Sequence, residues 1–170
     1  KIIKKSYKTL ESWSDAINDD IRHFSGTAIY EKTFNLSKEQ MSKDHLFELN
    51  LGSVAIIAEV FINNKKVSTL WKAPFRVAID DYVKKGKNKI KIKITNLWVN
   101  RLIGDEKLPL DYKRKGKKTK VLPSWLSHIE SRNSKRETFS SWKHWNKNST
   151  LQTSGLLGPV KVQYYKKIKL

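Results

Sequence analysis

The sequence contains no cysteine and no long apolar run. Without cysteine the chain has neither disulfides nor a Cys-ligated zinc, and 170 residues can bury a hydrophobic core without them. The longest apolar stretch, from Ala55 to Ile62, contains Glu59 and is too short to span a bilayer. We therefore predict no membrane segment. No signal peptide is recognisable, and because the chain begins with Lys1 we expect a processed product or a piece of a longer protein.

Acidic residues and arginine are also scarce. The chain has 35 basic and 16 acidic residues, a net charge of +19, and only six of the basic residues are arginine. Such a charge ordinarily favours nucleic acid, but recognition of phosphates and base edges favours arginine, and no nucleic-acid motif is present. In "NKIKIKIT", Lys89, Lys91 and Lys93 share one face of a predicted strand. Two interpretations stay open: a solvated lysine face, or a surface for an anionic ligand.

Short segments of alternating polarity predict an all-β fold. Asn63 and Asn64 lie between two apolar runs and predict a hairpin, and Gly86 predicts a tight turn before the lysine-faced strand. Ser37 and Gln40 have the spacing of a capping box, which predicts a single turn. Further strands are predicted at "GTAIYEKTFNL", "LFELNL", "APFRVAID", "ETFSSWKHW" and "GLLGPVKVQYY". Roughly eight such strands with almost no helix indicate an antiparallel β-sandwich, with a barrel as the lesser option.

The alternation of polar and apolar residues that predicts strands stops after Trp98 and returns near the C-terminal end. Residues 104–136 form turns and basic runs, with one short helix predicted at "PSWLSHI". We predict one β-sandwich domain over residues 1–170, in which 104–136 is a long loop insertion.

Four segments occur in this order: "FSGTAIYEKTFNL", "LNLGSVAIIAEVFINNKKVSTLWKAPFRVAIDDYVKKGKNKIKIKITNLWVNRLIGDEKLP", "FSSWKHW" and "SGLLGPVKV". Together they resemble the β-sandwich, sugar-binding-type domain near the C-terminal end of α-L-rhamnosidases of glycoside hydrolase family 106. The second of them is also similar to the sandwich of family 2 hydrolases such as β-galactosidases. The resemblance covers residues 10–162.

This resemblance implies a galactose-binding-like jelly roll that belongs to a large polysaccharide-degrading enzyme. Such enzymes are exported, so we expect a secreted or periplasmic protein. The catalytic carboxylates of that family lie on a separate barrel domain, and the chain alone is therefore not expected to be an enzyme. A net charge of +19 is not typical of the family.

The carboxylates of the chain also argue against independent catalysis. Glycoside hydrolysis needs two carboxyl groups roughly 5–10 Å apart on either side of a sugar. The acidic pairs here are sequence neighbours, and neighbours in an extended chain point to opposite faces. These pairs are Asp19 with Asp20, Asp80 with Asp81, and Asp105 with Glu106.

A first candidate binding site is the polar segment "NLWVNRLIGDE". Its amide, guanidinium and carboxylate groups suit sugar hydroxyls, and a tryptophan offers a stacking surface. Alternatively, the arginine pairs with a neighbouring carboxylate to hold the segment while the tryptophan packs in the core. The resemblance to family 2 implies that this loop faces the missing catalytic domain. The candidate residues are Trp98, Asn100, Arg101, Asp105 and Glu106.

The second candidate is "SSWKHW", with Trp142, Lys143, His144 and Trp145. If the segment is a strand, Trp142 and Trp145 point to opposite sides, so at least one can face outward. An exposed tryptophan beside a lysine suits an anionic sugar. Burial of both tryptophans is the structural alternative.

Metal ligands are few. His23, His45, His128 and His144 show no metal-ligand spacing, so we expect no transition-metal site. A structural calcium ion remains an open alternative, because sandwiches that resemble this one often carry such an ion. Its oxygen ligands would come from Asp19 and Asp20, or from Asp80 and Asp81.

The leading hypothesis is a non-catalytic carbohydrate-binding module of a rhamnosidase-like hydrolase. Its partners would be a polysaccharide, which the basic surface indicates is anionic (uronate-containing or sulfated), and the catalytic domain of the parent enzyme. A bracing domain without a free ligand is the first alternative, and nucleic-acid binding through lysine is the second. The basic surface is centred on Lys113, Arg114, Lys115, Lys117, Lys118 and Lys120.

Overall fold

The computed structural model describes residues 4–127 and 131–167. Short 3-10 helices lie at Trp13–Asp15, Asp80–Tyr82 and Ser124–Ser127. The remaining elements, in chain order, are α1 (Asp19–Arg22), β1 (Thr27–Leu36), β2 (His45–Asn50), β3 (Ser53–Ala55), β4 (Ile57–Ile62), β5 (Lys65–Leu70), β6 (Arg76–Ala78), β7 (Gly86–Thr95), α2 (Val99–Asp105), β8 (Arg114–Lys115), β9 (Lys118–Thr119), β10 (Gly155–Gly158) and β11 (Lys161–Lys166).

The chain divides into two compact units. The sandwich unit comprises residues 1–12, 26–96 and 153–170, and the second unit comprises residues 13–25 and 97–152. In the sandwich unit, β1-β7-β4-β5 form a four-stranded sheet, β11-β2-β6 a three-stranded sheet, and β10-β3 a strand pair. Neighbouring strands are antiparallel. The predicted all-β antiparallel sandwich is confirmed.

Both sheets of the sandwich unit contribute to its core. The four-stranded sheet buries alternate residues of β4 and β7, and the three-stranded sheet buries alternate residues of β2. Because each fully buried aliphatic side chain contributes roughly 1.5–3 kcal/mol, this alternation fixes which face of each strand points inward. The buried core residues include Phe47, Leu49, Ala58, Val60, Ile62, Ile90, Ile92, Ile94 and Leu156.

The lysines of β7 lie on its other face, as predicted. Lys89 forms an ion pair with Glu31 of β1 at 2.9 Å. Lys91 and Lys93 place their ammonium groups 4.9 and 5.2 Å from the ring centroid of Phe61 in β4. These three lysines are therefore engaged within the sheet, which favours a solvated lysine face over a surface for an anionic ligand.

Two predicted turns have the expected chemistry. Asn63 and Asn64 adopt positive φ angles of 50° and 68° between β4 and β5. Ser37 Oγ accepts a hydrogen bond from Gln40 N, while Gln40 Oε1 accepts one from Ser37 N, so the capping-box pair is reciprocal. β6 lies at the edge of its sheet and begins two residues after Pro74.

The second unit departs from three expectations. The segment predicted as a polar loop contains helix α2, whose buried residues include Asn100, Ile103 and Gly104. Only 124–127 of "PSWLSHI" form a helix, and His128 and Ile129 lie outside the described residues. "ETFSSWKHW" is not a strand, because its backbone pairs only through an isolated bridge between Lys118 and Trp142.

No helix within the described ranges is long and apolar enough to cross a membrane.

Gly52 and Gly158 meet at a close backbone contact in the sandwich unit. The two residues form a bridge, and Gly52 has a φ of +66°. A Cβ on Gly52 would lie 2.3 Å from the carbonyl carbon and oxygen of Gly158. The two backbone segments cannot easily move apart, because Gly52 directly precedes β3 and Gly158 is the last residue of β10.

Gly52→Ala is expected to destabilise the protein by about 3 kcal/mol or more, through steric overlap in addition to an unfavourable φ. Gly86→Ala is the matched control, since Gly86 has a φ of +81° but no atom within 4 Å of an added Cβ. The control should cost about 1–2 kcal/mol. Chemical denaturation of both variants measures the difference, and equal losses would contradict a close contact at Gly52.

Candidate functional site: a cationic depression in the second unit

The adjacent carboxylates Asp105 and Glu106 stand at the end of α2 and organise the second unit. Asp105 has no exposed surface. Its Oδ2 accepts hydrogen bonds from Glu137 N at 2.9 Å, Thr138 N at 2.7 Å and Thr138 Oγ1 at 2.7 Å. Its Oδ1 lies 3.1 Å from Arg101 Nε. Asp105 therefore stabilises the segment around Thr138 and is not accessible to a sugar.

Asn100 has a similar internal role. Its side chain is buried, its Nδ2 donates to Gln152 O at 2.7 Å, and its Oδ1 accepts from Gln152 N at 2.8 Å. This pair of hydrogen bonds holds the end of the second unit to α2. The prediction that Asn100 and Asp105 contact a sugar does not fit their burial, because neither side chain reaches solvent.

Glu106 is surrounded by three cations. Its Oε1 lies 2.9 Å from Arg114 Nη1 and 2.7 Å from Arg136 Nη2, and its Oε2 lies 3.0 Å from Lys143 Nζ. The two guanidinium groups are buried, with side chains 7% and 3% exposed, whereas the lysine side chain is 37% exposed. One carboxylate thus faces three positive charges, and only one of the three is open to solvent.

The two arginines are held by further contacts. Arg114 Nη2 donates to the hydroxyl of Tyr112, which donates to Ser140 O at 3.2 Å. Arg136 Nη1 donates to Leu108 O at 3.1 Å. Because each guanidinium has a second fixed partner, neither can turn towards a ligand without losing a buried hydrogen bond.

A second ion pair lies beside this network. Arg132 Nε is 2.7 Å from Asp111 Oδ2, and its Nη2 donates to Thr138 O at 2.7 Å. The guanidinium carbon also lies 4.2 Å from the ring centroid of Trp125. These contacts hold together the described residues of the predicted insertion, 104–127 and 131–136.

The surrounding cations keep the carboxyl groups of Glu106 and Asp111 charged. Burial alone raises the pKa of Glu106, but the hydrogen bonds from Lys143, Arg136 and Arg114 outweigh it and hold this pKa below its ordinary value. Burial likewise raises the pKa of Asp111, and hydrogen bonds, chiefly from Arg132, lower it overall. Both groups are therefore ionised at neutral pH.

A shallow, solvent-open depression adjoins Glu106, and its cavity volume is only about 20 Å³. Aromatic and cationic side chains share its lining with a few small polar ones. We call it the cationic depression. It is lined by Leu102, Glu106, Tyr112, Arg114, Arg136, Thr138, Ser140, Trp142, Lys143, His144 and Trp145.

The segment "SSWKHW" forms one side of the cationic depression. Trp142 is 39% exposed, His144 is exposed, and Trp145 is half-buried. The ring centroids of Trp142 and His144 are 6.4 Å apart, and the ammonium of Lys118 lies 5.5 Å from the Trp142 centroid. The structural alternative of two fully buried tryptophans is thus wrong, because the irregular backbone leaves the Trp142 ring partly in solvent.

The first candidate segment is divided between several environments. Arg101 pairs with Asp105, as the structural alternative expected, but Trp98 is 61% exposed and does not pack in a core. Of its five predicted residues, only Glu106 lines the cationic depression together with the four residues predicted from "SSWKHW".

The proposed basic surface also needs one correction. Lys113, Lys115, Lys117, Lys118 and Lys120 are exposed, but Arg114 is buried against Glu106 and Tyr112. Sequence reasoning missed Arg114, Arg136 and Tyr112 as site residues. The available signal was the use of arginine in a lysine-rich chain, since arginine suits buried and geometrically defined ion pairs.

Within residues 4–127 and 131–167, no group of three or more His, Cys, Asp or Glu side chains could hold a metal ion. Asp80 Oδ1 instead accepts a hydrogen bond from Phe47 N at 2.7 Å, and Asp81 is exposed in the same short helix. Asp19 and Asp20 lie in the first turn of α1, next to the N-cap Asn18. Binding of calcium by either pair stays a prediction.

Residues 14–158 match the family described as glycosyl hydrolase 2 galactose-binding domain-like, and the chain belongs to this family. The predicted galactose-binding-like sandwich of the family 2 type is confirmed.

Two similar proteins indicate the context of such a domain. A protein of Formosa agariphila named "Putative beta-glucuronidase" is 56% identical over 161 residues, which are 95% of this chain and 14% of that protein. A rhamnosidase from Novosphingobium sp. PP1Y has a similar structure, with a TM-score of 0.71 and 29% identity over 92% of this chain and 12% of the rhamnosidase. The chain therefore spans only a small part of the length of both proteins.

Asp105→Asn should destabilise the protein by about 3 kcal/mol, because it removes one charge of a buried ion pair and weakens three hydrogen bonds. Asp19→Asn is the control, since Asp19 is 69% exposed near Arg22 and should cost less than about 1 kcal/mol. Denaturant unfolding measures both, and similar small losses would contradict a stabilising role for Asp105.

Acid should remove the stabilisation that Glu106 provides. A carboxyl group whose pKa is lower in the folded than in the unfolded state stabilises the fold at neutral pH. This contribution is lost as the pH falls from the ordinary glutamate value of about 4.3 towards the lowered pKa. Glu106→Gln should therefore be less stable at pH 7 and lose less stability on acidification than the unchanged protein. Parallel curves of unfolding free energy against pH would contradict this assignment.

Proposed function

We propose that this chain is a non-catalytic carbohydrate-binding domain of a larger, exported glycoside hydrolase, and that its ligand is an acidic, rhamnose-containing polysaccharide. The observation that carries the proposal is the cationic depression, where three cations face the single carboxylate of Glu106 beside the exposed ring of Trp142. Such a surplus of positive charge favours an anionic ligand, and the ring offers a surface for a pyranose.

The state of the carboxylates supports a non-catalytic role. Glu106 is held ionised by three cations, so it can neither donate a proton as a general acid nor act as a free nucleophile. Asp105 is buried and its Oδ2 is fully engaged in hydrogen bonds. The reaction would then belong to another domain of the parent enzyme.

The similar proteins support the choice of ligand. One is named a β-glucuronidase, an enzyme class defined by an acidic sugar, and the other is a rhamnosidase. Uronate and rhamnose are also the components that the resemblance and the basic surface predict from the sequence. The likeness to family 106, the C-terminal position and the export of the parent enzyme belong to the same proposal.

Docking against the rest of a larger hydrolase is a second candidate function. It is favoured by the exposure of Leu97 and Trp98, two large apolar residues at the start of α2. The chain is also only 14% of the length of its Formosa agariphila relative, so most of a comparable parent protein lies elsewhere. This role predicts no affinity for a free glycan.

Binding of an oligosaccharide of rhamnose and glucuronic acid, compared with its carboxyl-reduced counterpart, tests the proposal. The acidic form should bind more tightly at an ionic strength of ~0.01 M, where the Debye length is about 30 Å, and lose this advantage at ~1 M, where it is about 3 Å. Trp142→Ala should weaken binding about fivefold through loss of the stacking surface.

Trp71→Ala is the matched control for Trp142→Ala. Trp71 is 67% exposed in the sandwich unit. The ammonium of Lys72 lies 5.5 Å from the Trp71 ring centroid, the same distance that separates the Lys118 ammonium from the Trp142 centroid. Its replacement should leave binding unchanged. Equal losses in both variants, or binding that does not respond to salt, would refute the proposed site, and no binding to either sugar would favour the docking role.

A further inference from the structure

The three cations around Glu106 differ in what they can offer to a ligand. Arg114 and Arg136 are at least nine-tenths buried and share a single oxygen of the carboxylate. Lys143 contacts the other oxygen at 3.0 Å, and its side chain is 37% exposed. A sugar that lies over the cationic depression can therefore reach the ammonium group of Lys143 more readily than either guanidinium.

The backbone at Lys143 is fixed while its ammonium remains accessible. Lys143 N donates to Lys117 O at 2.8 Å, and the preceding residue, Trp142, forms the bridge to Lys118. An ammonium group has three N–H donors, and Glu106 Oε2 can accept one of them. The remaining donors can bind an anion without breaking the existing ion pair.

Trp142 places an apolar surface next to this charge. The two residues are consecutive, and both line the cationic depression. A pyranose that stacks on an aromatic ring carries its acid group at the edge of the sugar, so a cation beside the ring is suited to bind it. The buried arginines add to the positive field but make no direct contact in this arrangement.

We propose that Lys143 is the residue that determines the specificity for an acidic sugar, by donating directly to its carboxylate, and that Glu106 keeps the ammonium at this position in the unliganded protein. This inference rests on the proposed function. It assigns the preference for an acidic over a neutral sugar to one side chain. The general positive charge of the surface is then of secondary importance.

The test compares affinities for the acidic oligosaccharide and its carboxyl-reduced form in four proteins: the unchanged chain, Lys143→Met, Lys143→Arg and Lys147→Met. The measured quantity is the ratio of the two dissociation constants, determined by calorimetry at low ionic strength. Lys147 is the charge-matched control, because it is an exposed lysine of the same unit that does not line the cationic depression.

Lys143→Met should lower the preference for the acidic sugar about tenfold, because a charge-assisted hydrogen bond is lost, and should leave the affinity for the neutral form unchanged. Lys143→Arg should retain most of the preference, and Lys147→Met should retain all of it. Unchanged affinity for the neutral sugar also shows that the depression has kept its shape.

The alternative outcomes are distinct. If the unchanged chain prefers the acidic sugar but Lys143→Met does so equally, or Lys147→Met loses as much, the assignment of Lys143 is overturned while the proposed function stands. If the unchanged chain binds neither sugar, or shows no preference, the proposed function fails and this inference fails with it.

Discussion

The ordering of the second unit depends on the two adjacent carboxylates at the end of α2. Asp105 accepts three hydrogen bonds from Glu137 and Thr138, and Glu106 binds cations from three separate places in the sequence. The second unit has little regular structure, so most of its backbone N–H and C=O groups cannot find hydrogen-bond partners in a sheet. Buried ion pairs carry a high desolvation cost. The hydrogen bonds to Asp105 Oδ2 offset part of this cost, whereas Asp105 Oδ1, Arg114 Nε and Arg136 Nε have no hydrogen-bond partner among the described residues.

The chain uses its two kinds of basic residue differently. Five of its six arginines lie in the second unit, four of them paired with Asp105, Glu106 or Asp111. Many lysines instead occupy exposed faces, such as the outer side of β7, where Glu31 and Phe61 engage them. Net charge alone is therefore a poor guide to a ligand. The informative position is Lys143, a lysine that joins a buried network and still reaches solvent.

The sandwich unit could be predicted from the sequence because local patterns determine it. Alternation in β7 identifies its buried face, and Asn63 and Asn64 permit the hairpin turn before it. The second unit could not be predicted in this way, because its order comes from contacts between distant residues, such as Glu106 with Arg136. Helix α2 was missed although Asn100, Ile103 and Gly104 have helical spacing, since a seven-residue helix without a side-chain cap gives a weak signal.

The six tryptophans allow a direct test of where a ligand binds. They are Trp13, Trp71, Trp98, Trp125, Trp142 and Trp145. Titration of an isotope-labelled chain with the acidic oligosaccharide, followed through the indole N–H signals in NMR spectra, reports on all of them at once. We predict that the signals of Trp142 and Trp145 shift and that those of Trp71 and Trp13 do not. Shifts at Trp71 or Trp98 without shifts at Trp142 would contradict it.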